Sequence, residues 1–222
     1  MLCRPAFGHG LLYAARRATP AGNFGPYLGR EKFLSARRFY EVRSEAEALA
    51  LVRSLGVRYV MTTERGAPTA RHFVDRLHVG DGAARAGAPH GEHFRLVAEA
   101  PPGGEPAPFE PIGPGPRSGI LYKLFERVEG ARLVVAAPPA TPVRARATVS
   151  VPTGRRFEFD AVGAASDAGI AELRVPYATE PAGAAAFADA PYRVDAGGAS
   201  GEARVAESDV VLGREVPVRL TR

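Results

Sequence analysis

Ser44-Glu45-Ala46-Glu47-Ala48-Leu49-Ala50-Leu51-Val52-Arg53-Ser54-Leu55-Gly56-Val57-Arg58-Tyr59-Val60-Met61 contains a complete helix-to-strand unit. Ser44 can accept from the backbone N–H of Glu47, and Glu47 can reach back, which is a capping box. Ala48, Leu51, Val52 and Leu55 follow at i, i+3, i+4 and i+7, giving one apolar stripe. Gly56 sits where a left-handed helix terminus belongs. Val57–Met61 then reads as a strand. A helix joined this way to a strand implies a helix packed on a sheet.

Outward from this unit, Gly10–Arg17 is compatible with a short helix that ends at Thr19-Pro20. Glu31–Tyr40 suits another helix. Pro68 is placed as the first residue of a third, with Phe73, Val74 and Leu77 as its apolar side and Gly80-Asp81-Gly82 as its stop. His93–Ala98 and Ile120–Val128 read as strands, and the Pro- and Gly-rich 101–119 between them as a surface loop. After Gly130 the helical period disappears. Short alternating strands are expected at Leu133–Ala137, Val143–Val151, Arg155–Ala161, Ile170–Tyr177, Tyr192–Ala196, Ala203–Glu207 and Val216–Leu220, at the spacing of a β-sandwich. Phe157, Phe159 and Ala161 share one face of their strand. Ser166-Asp167-Ala168-Gly169 is a tight turn. The expected fold is α+β: a small α/β domain over 1–130, then an all-β sandwich over 131–222, immunoglobulin-like or like the regulatory domains appended to carboxypeptidases.

Composition narrows the function classes. The chain has 222 residues, 45% of them apolar, enough for a packed core. The 25 Gly and 20 Pro imply many turns. The formal charge of +5 is carried almost entirely by Arg, with Lys only at Lys32 and Lys123. Those Arg are scattered among Asp and Glu, so solvated faces are a better reading than a nucleic-acid surface. The single cysteine, Cys3, excludes an internal disulfide and a Cys-rich zinc site. No stretch approaches the ~20 apolar residues of a membrane span. Arg4, His9, Arg16 and Arg17 interrupt any signal-peptide core, so the chain by itself reads as soluble and unexported.

Candidate chemistry is sparse. His90-Gly91-Glu92-His93 spaces two histidines three apart, but Pro89 and Gly91 argue for a loop and no third ligand is in sight. His72 and His78 read as surface or boundary residues. Gly113-Pro114-Gly115-Pro116 lacks the N–H donors that a phosphate cradle needs. Ser118-Gly119 lacks a Gly-x-Ser-x-Gly context.

Two segments carry a family resemblance. The first is Arg4-Pro5-Ala6-Phe7-Gly8-His9 with Gly10–Arg17 and Asn23–Tyr27 behind it. The second is Tyr122-Lys123-Leu124-Phe125-Glu126-Arg127-Val128-Glu129-Gly130-Ala131. Between and after them come Gly56–Val60, His93-Phe94-Arg95-Leu96-Val97, Ser166–Gly169 and Val175-Pro176-Tyr177. This order resembles the C-terminal extracytoplasmic region of oligosaccharyltransferase catalytic subunits, along most of the chain. The family opens this region with Trp-Trp-Asp-Tyr-Gly, which grips the hydroxyl of an Asn-x-Ser/Thr acceptor. Here Arg4, Pro5 and Ala6 stand at the Trp-Trp-Asp positions, and only Phe7 and Gly8 match. Thr63 and Glu64 fall where a second acceptor-contacting motif belongs, without a match.

The resemblance implies a soluble portion of an oligosaccharyltransferase-like glycosyltransferase of the protein N-glycosylation type, inactive alone. Phe7, Gly8 and His9 would touch the acceptor polypeptide, and no catalytic or metal-ligating residue is assigned. The implied partners are the membrane domain of the parent protein and the acceptor polypeptide, with no nucleic acid. The implied place is the extracytoplasmic or periplasmic face of a membrane. No cofactor is expected in this chain, since the family's Mn or Mg is held by the membrane domain. The alternative is a stand-alone periplasmic or secreted β-sandwich module for binding or scaffolding.

Overall fold

A computed structural model describes residues 1–4, 16, 18–20, 29–63, 71–83, 91–100, 120–180 and 183–221. The chain forms two compact units, Met1–Val79 with Glu99–Arg127, and Gly80–Ala98 with Val128–Arg222. The fold is α+β, with a sandwich-like arrangement of sheets in the C-terminal part.

In the first unit, helix α1 spans Arg30–Phe39 and helix α2 spans Glu45–Ser54. The capping box forms: the Glu47 N–H donates to Ser44 Oγ at 3.3 Å, and the Glu47 carboxylate accepts from Ser44 Oγ and the Arg43 N–H. Those donors hold the Glu47 carboxyl below its ordinary range. At the other end Gly56 (φ 63°) donates to the Arg53 carbonyl and Val57 to that of Val52, a Schellman closure. The buried side of α2 is Ala48, Leu49 and Val52, so the stripe is rotated slightly from Leu51 and Leu55, which are half-buried. Strand β1, Tyr59–Thr63, and helix α3, Phe73–Gly80, follow. Pro68 and the loop 101–119 lie outside the described residues.

The second unit begins with strand β2, Phe94–Glu99, most of which belongs to it. Strand β3, Tyr122–Arg127, returns to the first unit and pairs antiparallel with β1. The sandwich strands are β4 (Ala131–Ala136), β5 (Pro142–Ser150), β6 (Arg156–Ala164), β7 (Ile170–Val175), β8 (Phe187–Ala188), β9 (Tyr192–Ala196), β10 (Ala199–Ala203) and β11 (Glu215–Val218). One sheet runs β10-β9-β5-β6, with β8 beside β5; the other runs β11-β4-β7, with β11 parallel to β4. Strict alternation decides the inner faces. Val143, Ala145, Ala147 and Val149 of β5 are buried, while Arg144 and Arg146 face out. Leu133, Val135, Leu173, Val175, Phe159 and Val194 complete the apolar core. The Ser166–Gly169 turn closes as read, with the Gly169 N–H on the Ser166 carbonyl and φ 74° at Gly169.

One expectation fails. Ala203–Glu207 is not a strand: β10 ends at Ala203, and helix α4 occupies Glu207–Leu212. The Asp209 carboxylate accepts from the Ala206 N–H, and Gly213 (φ 67°) ends the helix. Ala206 offers no side-chain cap, and Val210-Val211 favour strands, so the helix-start signal was absent.

Gly130 joins β3 to β4 at φ 74°, and a Cβ there would lie 2.5 Å from the Glu92 carbonyl oxygen. Gly130→Ala is expected to cost more than about 2 kcal/mol in urea denaturation, from strain plus backbone collision. The fully buried Tyr177 hydroxyl accepts from the Leu96 N–H at 2.8 Å. Tyr177→Phe leaves that N–H buried without its partner, and about 1–3 kcal/mol should be lost in the same measurement.

Candidate functional site

Leu2 is completely buried and lies parallel beside β1, donating to the Tyr59 carbonyl at 2.7 Å and accepting from the Met61 N–H at 2.8 Å. The terminal ammonium of Met1 donates to the Ala18 carbonyl at 2.9 Å, and Cys3 Sγ stands 3.7 Å from Thr19 Oγ1. Two stretches of chain, one before and one after residues 5–17, are thus fastened together on β1. Arg4 places its guanidinium 5.8 Å from the Tyr40 ring centroid, and Tyr40 donates its hydroxyl to the Met61 carbonyl at 2.9 Å. Phe7, Gly8 and His9, the acceptor-contact residues that the resemblance implies, lie outside the described residues, as does Glu64. Thr63 is buried at the end of β1. Burial raises the Cys3 thiol pKa, so this cysteine is a poor nucleophile.

A buried polar cluster joins β1, α3 and the entry to β3. His78 is 2% exposed, deeper than the surface or boundary position read for it. Its Nε2 lies 3.0 Å from the Ile120 carbonyl and its Nδ1 2.7 Å from Thr62 Oγ1. A carbonyl can only accept, so Nε2 carries the proton and Nδ1 receives the Thr62 hydroxyl. Lys123, also buried, donates Nζ to the His78 carbonyl at 2.7 Å. The cluster was missed because a histidine at a helix end carries no sequence mark of burial. Its partners, Thr62 and Ile120, come from strand segments distant in sequence. Both His78 nitrogens are occupied, so its chemistry is structural.

The other histidine candidates also point elsewhere. His93 Nδ1 lies 3.2 Å from the Val128 carbonyl, and burial holds the His93 pKa below its ordinary value. Glu92 lies 3.7 Å from Arg174 Nε. His90 is outside the described residues, and among the described residues no three His, Cys, Asp or Glu converge as a metal set. Arg58 and the buried Glu126 pair at 2.6 Å. An open cleft of about 560 Å³ lies along α1, lined by Leu34, Arg37, Arg38, Glu41, Val42, Arg43 and Glu47.

The sandwich supplies the deciding comparison. Residues 130–216 match the archaeal glycosylation protein B long peripheral domain. Solved structures extend the likeness over both units. The Archaeoglobus fulgidus oligosaccharyltransferase in complex with Zn and sulfate is 16% identical with a TM-score of 0.72, covering 95% of this chain and 40% of that one. Archaeal oligosaccharyltransferase AglB from the same organism, in complex with an inhibitory peptide and a dolichol-phosphate, is 17% identical with a TM-score of 0.71 over 95% of this chain and 36% of its own. The A. fulgidus enzyme tethered to an acceptor peptide containing the NVT sequon gives 16%, 0.72, 95% and 37%. No curated protein matches the sequence. At these identities the likeness is one of fold. The chain spans 36–40% of the length of these three oligosaccharyltransferases. Among the described residues, no helix is long and apolar enough to cross a membrane.

His78→Leu keeps the volume but strips hydrogen-bond partners from the buried Thr62 and Ile120. The expected loss is about 2–4 kcal/mol, read as a lower urea midpoint with an unchanged slope.

Proposed function

We propose that this chain is the peripheral, extracytoplasmic part of an oligosaccharyltransferase-like membrane glycosyltransferase. It works with a membrane domain that binds the lipid-linked sugar. The observation that carries the reading is the shared fold over 95% of the chain, at a TM-score of 0.72, together with the peripheral-domain match over residues 130–216. The chain's role is to hold the acceptor polypeptide, with Phe7, Gly8 and His9 as the contact segment. The stems bound on β1 give that segment a fixed base. A divalent cation, Mn or Mg, belongs to the membrane domain in this reading.

Ala6 replaces the carboxylate that would accept from a Ser or Thr hydroxyl, and Arg4 and Pro5 replace an aromatic wall. The acceptor hydroxyl is therefore not read here by that triplet. Two measurements test the reading. The purified chain, given lipid-linked oligosaccharide and an Asn-x-Thr peptide, should transfer no sugar, whereas the chain reconstituted with its membrane domain should. Transfer by the chain alone, or transfer by the membrane domain that is indifferent to the chain, would refute the proposal. The combined Arg4→Trp, Pro5→Trp and Ala6→Asp variant should bind an Asn-x-Thr peptide at least about tenfold more tightly, the worth of one hydrogen bond to a charged group.

A further inference from the structure

Helix α1 concentrates positive charge. Its ten residues, Arg30–Phe39, hold Arg30, Lys32, Arg37 and Arg38 against one acid, Glu31. No other described helix is net basic: α2 carries Glu45 and Glu47 against Arg53, α3 carries Asp75 against Arg76, and α4 carries Glu207 and Asp209 with no base. The cations are also arranged. Arg30, Leu34, Arg37 and Glu41 recur at i, i+4, i+7 and i+11, one outward stripe with Arg38 beside it. The inward side of α1 is Ala36 and Phe39, both fully buried. Leu34, at the centre of the stripe, is 48% exposed.

Arg43 extends the patch along the cleft, where the Arg76 guanidinium donates to the Arg43 carbonyl at 2.5 Å. Two of the neighbouring acids, Glu41 and Glu47, have partners. Glu41 lies 3.4 Å from Arg37 Nε in a pair with both side chains more than half exposed, which is weak and exchangeable. Glu47 is taken up by the N-terminal cap of α2. The outer face of the sandwich sheet shows the opposite pattern. There Arg144 pairs with Asp160, Arg146 with Asp195 and Arg156 with Asp189.

We infer that the outward face of α1 docks on an anionic membrane surface, its guanidinium groups on lipid phosphates and Leu34 set into the headgroup layer. Guanidinium forks match phosphate oxygens bidentately, and each basic residue near such a surface strengthens binding about fivefold. The inference rests on the reading of the chain as part of a membrane glycosyltransferase. Its test contains neither sugar donor nor acceptor, so the two can fail separately.

The test is co-sedimentation of the full chain with phosphatidylcholine vesicles, with and without about 30% phosphatidylglycerol, at low and high salt. Binding should appear with phosphatidylglycerol and fade at high salt. Arg37→Gln with Arg38→Gln should weaken it about 25-fold at about fivefold per charge, and Glu41→Gln should strengthen it about fivefold. Arg144→Gln with Arg146→Gln removes the same formal charge from the paired face and should change binding by less than about threefold. Circular dichroism checks that each variant folds. Equal binding to both vesicle types overturns the inference, as does equal weakening by the two double variants. Failure of Glu41→Gln to strengthen binding overturns it independently.

Discussion

The second unit depends on one buried hydroxyl. Tyr177 follows β7, and its ring lies edge-on to Phe157 and Phe159. Its oxygen accepts from the Leu96 N–H and lies 3.4 Å from the Asp81 carbonyl, to which it donates. Burial pushes its pKa far above the ordinary tyrosine value, so the proton stays in place at any physiological pH. Tyr192 donates to the Tyr177 carbonyl at 2.9 Å and fixes the backbone from the other side. One side chain thereby joins residues from 81 to 192 within a single unit.

Around that hydroxyl, charge pairs stitch residues 80–98 to the sandwich. Arg155 grips Asp81 with two bonds of 3.0 Å, and its guanidinium lies 5.1 Å from the Phe157 ring centroid. Arg95, 3% exposed, forms two bonds of 2.7 Å to Glu207 of α4. Arg174 holds the carbonyls of Glu129 and Gly130. Arg95 is the buried one of the three, and a buried guanidinium is tolerable only when paired, so it fixes Glu207 as well as itself. The segments that carry the family resemblance, His93–Val97, Tyr122–Ala131 and Val175–Tyr177, include several of these joining residues.

What could be read from the sequence was local. Ser44, Glu47 and Gly56 fixed both ends of α2 because capping uses neighbours. The alternation of Phe157, Phe159 and Ala161 grouped one face of β6 because a strand's period is two. Residues whose role depends on remote partners were not legible. His78 looked like a surface or boundary residue, since nothing nearby announces Thr62 and Ile120. Arg95 looked like one more scattered arginine, although its partner lies 112 positions away. The two-residue strand β8 was too short to show any pattern, and α4 began without a capping side chain.

The same contrast separates the two charged surfaces. On β5, β6 and β9 the cations meet anions across neighbouring strands, where opposite charges face each other at short range and cancel. That face gains order and solubility from its arginines and presents little net field. On α1 the nearest side-chain neighbours lie three and four residues along the helix: Leu34 stands there for Arg30, Arg37 and Arg38, and Glu41 for Arg37 and Arg38. The field there is offset only in part, by the exposed Arg37–Glu41 pair. The helix has no side-chain cap at Gly29, while Glu31 in its first turn and Arg37 and Arg38 in its last complement the helix dipole. At ten residues it is too short to be stable alone, and the burial of Ala36 and Phe39 holds it in place. An anionic surface laid against the stripe would supply the counter-charge that Glu31 and Glu41 leave short.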